Sequence, residues 1–449
     1  MSVDFDLNGW PDLLIGRHKR AAVLFRNQDG ATFQQDRPAV SAPPGENYYD
    51  RHGCAWGEAN GDGAPDLYCG SGARRGEGRG PNQLLLQTDG GLRDVSRRWG
   101  VQDPAGRARS VHWLDFDRDQ DLDIFVSNEL RPGYPNVLFR NDGRRFTRTT
   151  VGLEQEMATI SSSWSDWDND KDPDIFVLGH GFIGSRAYEN VDGRYREVQF
   201  PSVTARSWLS ATWGDFDMDG WVDVALVSPD RMLVLRNNRG RFRRTLSLPL
   251  QAGRVAGWFD LENDGDLDAF VVQGQPGDPP KPQAVNKPDL LLLNQEGSGF
   301  DVKRDDVLRG SRKGNGDSVA VADIDRDGRL DLHVTEGFLR EKARSRLLLN
   351  RSEVGNWLGL RIEGPAGNPF GIGIRVIAKT STSKLHYFMN DGVAFKSQSE
   401  IGYVHMGLAS ADSADLRVVW PDGSSSCTTA DSGHIVTVTY RSGACSANS

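Results

Sequence analysis

The sequence predicts an all-β chain: a seven-bladed β-propeller followed by a smaller β domain. Three observations carry that prediction. An acidic frame, D-x-D-x-D-G-x-x-D in its fullest form, recurs seven times, with copies starting 45 to 63 residues apart. A short apolar strand follows each copy directly, and a second follows after a loop of variable length. A tryptophan stands two residues ahead of the first acidic position in five copies, at Trp56, Trp113, Trp164, Trp213 and Trp258. Counting the strand that carries the tryptophan and a polar strand after the second apolar one, each repeat holds four strands, the content of a propeller blade.

The acidic frame reads as a calcium loop. In the stretch from Asp323 to Asp331, oxygen side chains at positions 1, 3, 5 and 9 (Asp323, Asp325, Asp327, Asp331) can surround one hard cation. Gly328 allows the sharp turn that gathers them. An EF-hand would place a glutamate at position 12 and a helix on each side; here position 12 is Val334 and the flanks read as strands. The first two copies offer Asp4, Asp6, Asn8 and Asp12, then Glu58, Asn60, Asp62 and Asp66. The third and fourth offer Asp115, Asp117, Asp119 and Asp123, then Asp166, Asp168, Asp170 and Asp174. The fifth and sixth offer Asp215, Asp217, Asp219 and Asp223, then Asp260, Glu262, Asp264 and Asp268. Gln120 and Lys171 replace the turn glycine in the third and fourth loops, which are therefore expected to bind less tightly. One such loop alone would read as a solvated turn; seven in one frame leave that reading little room. Up to seven structural Ca2+ ions are the expected cofactor.

Taken in order, the strands directly after the loops fall at 12–15, 67–69, 124–126, 175–177, 224–227, 269–272 and 332–334. Their partners fall at 23–25, 84–86, 137–139, 186–188, 232–235, 290–293 and 347–349. Turns such as Asp29-Gly30, Asp142-Gly143 and Asp192-Gly193 lead into the polar fourth strand. The repeated tryptophans are expected to pack between blades. The first copy begins inside its own loop, so the innermost strand of the first blade is missing from the pattern, and another segment could fill that place. The last repeat shows no clear outer strand. From Asn356 the loops stop and strands recur without them. The expected division is a propeller over 1–355, a β domain over 356–441 and a disordered tail over 442–449.

Composition narrows the function classes. Only 37% of the 449 residues are hydrophobic and glycine is abundant at 51, which suits short strands and turns. The net charge of −9 misleads, because 26 of the 62 acidic residues sit at ligand positions; seven bound calcium ions would bring the formal charge to +5. Empty loops repel themselves, so calcium is expected to contribute to folding. Basic residues are scattered, which argues against nucleic acid. No apolar run is long enough to span a membrane. No basic start precedes an apolar stretch, so the chain as given is expected in the cytoplasm; an upstream signal already removed would make it extracellular. Cys54, Cys69, Cys427 and Cys445 form no C-x-x-C pair and are read as free thiols, with Cys427 and Cys445 able to pair if the protein is exported.

The repeats resemble FG-GAP/VCBS repeats, the calcium-loop blades also seen in integrin α propellers. The C-terminal part resembles the ASPIC/UnbV domain, found after such repeats in the cartilage acidic protein family and its bacterial relatives. That likeness rests on Asn356-Trp357-Leu358, the Gly371 to Val376 stretch, Phe395 to Gln398, His405-Met-Gly407-Leu408 and Val419 to Gly423. Departures stand at Ile374, Lys396, Met406 and Ala409, where the family usually has other residues. The resemblance mainly implies a binding or interaction module. Most relatives are exported.

The calcium loops mark one propeller face. The starts of the innermost strands converge on the other, around the channel. Tyr48, Arg51, Arg109, Trp208, Arg254 and Asn315 are the candidate ligand-binding residues there, the arginines suited to a carboxylate or phosphate. Tyr49, Asp50, His52 and Asp317 are candidates for moving a proton. The plainer alternative is that these groups only solvate the channel. No nucleophile elbow, P-loop, dinucleotide fingerprint or His-rich metal site appears. Two readings follow. The favoured one is a calcium-stabilised module binding a small hydrophobic metabolite or a protein ligand. The other is an intracellular enzyme of specialised metabolism, a cyclase, isomerase or alkylating enzyme with its pocket at the channel mouth.

Overall fold

The computed structural model describes the chain except residues 18–19, 37–50, 73–80, 90, 130–134, 156, 158, 180–183, 201–206, 275–286, 305–315, 337–344, 395–396, 444 and 446–449. The fold is almost entirely β. Seven antiparallel sheets follow one another along the chain, six of four strands and a seventh of three, each a simple meander. Their innermost strands are Ser2–Val3, Arg51–Gly57, Ala108–Leu114, Thr159–Ser165, Ser210–Gly214, Gly253–Phe259 and Gly316–Ala322. From the second sheet to the seventh, each of these strands touches the next, so the sheets are the blades of a β-propeller. The seventh sheet ends without an outer strand among the described residues, as the sequence pattern suggests.

The repeated tryptophans sit between blades because each lies on an innermost strand facing its neighbour. Trp113 Nε1 donates to Ala55 O at 3.0 Å and Trp258 Nε1 to Thr212 O at 3.1 Å, in each case the preceding sheet. Trp56 and Trp113 are fully buried. Burying side chains of this size dominates the packing between blades.

Beyond the propeller, the strand Asn356–Glu363 pairs antiparallel with Tyr403–Ala409 and parallel with His434–Thr439. A second sheet orders Lys384–Met389, Ile374–Lys379, Ser413–Val419 and Ser425–Asp431. Leu358, Leu360, Val376, Met406, Val418 and Trp420 form the core between them.

This C-terminal unit sits on the face that carries the acidic loops and touches all seven. Arg361 lies against Gly9 and Ala366 against Gly61. Leu122 N donates to Gly367 O at 3.3 Å. Arg375 donates to Asn169 Oδ1 at 3.0 Å and to Gly220 O at 2.6 Å. His405 Nε2 meets Asn263 Oδ1 at 2.8 Å, and Trp357 packs on Gly328.

A short hairpin, Val393–Ala394 with Ser397–Gln398, reaches from this unit into the propeller centre. It supplies what the first blade lacks. The first innermost strand is only Ser2–Val3, and the place beside it is bridged by Gln398 to Glu400. Trp56 N donates to Gln398 Oε1 at 2.7 Å while Gln398 Nε2 donates to Trp56 O at 2.9 Å, so a side-chain amide stands in for a strand partner. On the other side, Val321 N donates to Ser399 Oγ at 3.2 Å and Glu400 N to Val321 O at 3.3 Å. Arg326 of the seventh loop and Glu400 form a buried ion pair.

The cysteines correct the expectation of free thiols. Cys54 and Cys69 face each other in register on adjacent strands of the second sheet and are bonded, as are Cys427 and Cys445. No free cysteine remains among the described residues. Sequence spacing could not reveal the first pair, because the two strands that bring it together are joined across an acidic loop.

Candidate metal centres and channel mouth

The acidic loops fold by hydrogen bonds to their own side chains. In five of them the first-position carboxylate accepts from the backbone N–H groups four and five residues on, as Asp4 does from Asn8 and Gly9 at 2.9 and 2.8 Å; Glu58 instead accepts from Asn60, Gly61 and Gly63, and Asp166 from Lys171. The fifth-position side chain accepts from the N–H two residues further, as Asp219 does from Trp221 at 3.0 Å. The ninth-position carboxylate accepts from the second-position N–H, as Asp223 does from Phe216 at 3.1 Å. These bonds hold the chain in a tight coil with left-handed backbone at positions 4 and 6. At position 6, Gly220 has φ +91° and Gly328 φ +83°, while Gln120 and Lys171 are forced to +77° and +76°. The latter is a costly place for a side chain.

Positions 1, 3 and 9 converge. Carboxylate oxygens lie within 4.8 Å of one another in Asp4, Asp6 and Asp12, and likewise in the third, fourth, fifth and seventh loops. The second and sixth loops form no such acidic triad. The second has the neutral Asn60 at position 3, and the sixth has Glu262, one methylene longer, at that position. At position 5, Asp62, Asp119, Asp170, Asp219, Asp264 and Asp327 each accept from the backbone N–H two residues on.

The donor sets suit a hard cation. One buried oxygen each of Asp117, Asp166, Asp217 and Asp325 meets no hydrogen-bond donor, although Arg236 and Arg351 pair with the other oxygen of Asp217 and of Asp325. Burial above all, with neighbouring carboxylates adding to it, pushes Asp115 and Asp166 up to about 7, Asp215 to about 8 and Asp223 to about 9. Carboxylates packed this closely without a counter-charge work against the fold, and a bound cation would reverse that.

On the opposite face, five innermost strands share one irregularity. Each carries a bulge near its start, where the strand register skips one residue: His52, Arg109, Ile160, Arg254 and Asp317. Bulges of this kind re-aim side chains. Four of the five are polar, and all four are residues the sequence singled out. Arg109 Nη1 lies 2.7 Å from His52 Nδ1 and also pairs with Glu129, which Arg107 contacts at 3.0 Å. Arg51 donates to Gln83 Oε1. Trp208 is corrected: it is fully buried in a core cluster with Phe176 and Val224 and offers no surface to a ligand. Tyr48, Tyr49, Asp50 and Asn315 lie outside the described residues.

The inner end of the channel is occupied by the hairpin's approach. His112 and Asp391, each 1% exposed, meet at 2.9 Å, and His112 Nε2 lies 2.9 Å from Ser162 O. Both ring nitrogens of this buried histidine thus face oxygen atoms.

Two features escaped the sequence reading. One is the bulge, which depends on strand register. The other is an amide after the second apolar strand of each repeat: Asn27, Asn141, Asn190, Asn237, Asn294 and Asn350, with Gln87 in the second. Its signal was an Asn two or three residues before the turn glycine, blurred because its distance from the acidic loop varies.

Residues 4–69, 59–126, 166–226 and 215–271 match the model described as FG-GAP-like repeat, together half of the chain. The chain belongs to the FG-GAP-like repeat family. Residues 364–444 of this FG-GAP protein match the model described as ASPIC and UnbV. Cartilage acidic protein 1 of Xenopus tropicalis is 24% identical over 278 residues, covering 59% of this chain and 40% of the relative. The Homo sapiens protein of that name is 24% identical over 279 residues, with the same coverage. The match thus spans well under half the length of these curated relatives. Among solved structures, a lectin from Agrocybe aegerita described as recognising non-reducing terminal N-acetylglucosamine aligns with TM-score 0.50 at 15% identity, over 76% of this chain and 91% of the lectin. The periplasmic gluconolactonase of Pseudomonas aeruginosa aligns with TM-score 0.44 at 14% identity, over 76% and 99%. Among the described residues, no helix is long and apolar enough to cross a membrane.

Proposed function

We propose that this FG-GAP protein is a calcium-stabilised binding module, whose metal loops hold the propeller together while its opposite face receives a ligand at the channel mouth. The observation that carries this reading is the shared bulge, which sets His52, Arg109, Arg254 and Asp317 at one register of the innermost strands. Two arginines at such a mouth suit a carboxylate or phosphate on a small, otherwise hydrophobic metabolite, or an acidic group on a protein. Calcium would be structural, because its loops lie on the propeller face opposite the channel mouth. The paired cysteines favour an oxidising compartment.

The test combines stability with binding. Calcium-loaded protein is dialysed against host-cell extract, and retained compounds are identified by mass spectrometry. Arg109→Ala and Arg254→Ala are expected to keep the calcium-dependent melting temperature and to lose the retained compound. Retention unchanged in both variants would remove the channel mouth as the site.

A further inference from the structure

These amides, six buried asparagines and the half-buried Gln87, do more than finish a turn. In each blade, the backbone N–H of this Asn or Gln donates to the ninth-position carboxylate of its own loop, at 2.6 Å from Asn237 to Asp223 and 2.9 Å from Asn190 to Asp174. Its side-chain amide then crosses to the preceding blade and donates to the second-position carbonyl of that blade's loop. Asn190 reaches Phe116 O at 2.8 Å, Asn237 reaches Trp167 O at 2.7 Å and Asn294 reaches Phe216 O at 2.7 Å. Asn141 reaches Ala59 O at 3.3 Å, Asn350 reaches Leu261 O at 2.9 Å and Gln87 reaches Phe5 O at 2.7 Å. Asn27 of the first blade reaches Ile324 O of the seventh at 2.8 Å and closes the circle.

Each second-position residue in turn donates its own N–H to its loop's ninth-position carboxylate, as Phe116 does to Asp123 and Trp167 to Asp174, at 3.1 and 3.2 Å. The hydrogen bonds therefore run without interruption from one loop's ninth carboxylate to the next around the whole ring. The six asparagines are 0–9% exposed and the ninth-position carboxylates 0–1%, so water cannot replace a broken link cheaply.

We infer that this belt couples the metal loops, so that occupancy of one loop favours occupancy of its neighbours. The inference rests on the calcium reading above. A cation draws on the ninth carboxylate of its loop, and that carboxylate fixes the second-position peptide on which the next blade's amide rests. Filling one loop thereby organises an acceptor that the adjacent loop's Asn needs, which is a coupling free energy between sites. The belt's six asparagines and Gln87 are positioning residues: none of them is asked to touch the metal.

Native mass spectrometry at stepped free calcium, counting ions on the full chain, tests this. Asp117→Asn weakens the third loop. In the wild-type background it is expected to lose more than one ion at a free-calcium level where the unaltered protein is full. In an Asn190→Ala background, where the link to the fourth loop is cut while Asn141 still joins the third loop to the second, it is expected to lose fewer ions than in the wild-type background. Should Asn190→Ala not fold, Asp217→Asn with Asn237→Ala repeats the cycle between the fifth and fourth loops. Loss of a single ion in both backgrounds would overturn the coupling while leaving the calcium reading intact. No calcium uptake by the unaltered chain would overturn both.

Discussion

At the sixth position of the acidic loop the backbone turns left-handed, and the residue there decides how much strain the loop stores. Five loops use glycine. Gln120 and Lys171 hold the same turn at φ +77° and +76°, at a cost of order 1 kcal/mol each relative to glycine. Lys171→Gly is therefore expected to raise the stability of the calcium-loaded protein by about 1 kcal/mol, read as a higher midpoint in denaturant. A lower midpoint would mean that the Lys171 side chain, whose Nζ approaches Gly423 of the C-terminal unit, contributes more by that contact than the turn loses. The frame of seven acidic loops was legible because its residues are adjacent in the chain. The belt asparagines were not, because they stand 14 to 26 residues from the carboxylates they serve.

The elements show a different balance. Strands after the acidic loops follow from short apolar runs, and the tryptophan register placed the innermost strands. The bulges could not be read, since a bulge is a mismatch between two strands and neither carries it alone. The first blade's incomplete inner strand was visible as a gap, and its remedy was not. The Val393–Gln398 hairpin comes from the far end of the chain. Gln398→Ala leaves the buried N–H and C=O of Trp56 without these partners, and unfolding is expected to come easier by roughly 2–4 kcal/mol. An unchanged denaturation midpoint would mean that the hairpin does not hold the ring.

For the whole molecule, the loops and the C-terminal unit stand or fall together, because that unit rests on every loop. Chelation is expected to lower the melting temperature sharply; an unchanged melt in excess EDTA would count against calcium. The chelated protein should also show a characteristic pH dependence. Asp66 is pushed from 3.8 to about 8 and Asp331 to about 7, chiefly by burial. In the folded, metal-free chain these groups hold protons that the unfolded chain releases. Stability without calcium is therefore expected to fall as pH rises from about 4 to about 8, and calcium should flatten that slope. A chelated protein whose melting temperature rises over that range would contradict the packing of these carboxylates.

The sequence by itself determined the repeat, the acidic oxygens, the all-β class and the family, because each is written in residues close together along the chain. Tertiary structure decided how the ring closes, which cysteines pair, where Trp208 lies and how one loop reaches the next. Those depend on contacts between segments as distant as Trp56 and Gln398, or Asn27 and Ile324. A backbone amide or an indole finds such partners only once the blades are stacked, and no local pattern of charge or hydrophobicity marks them beforehand.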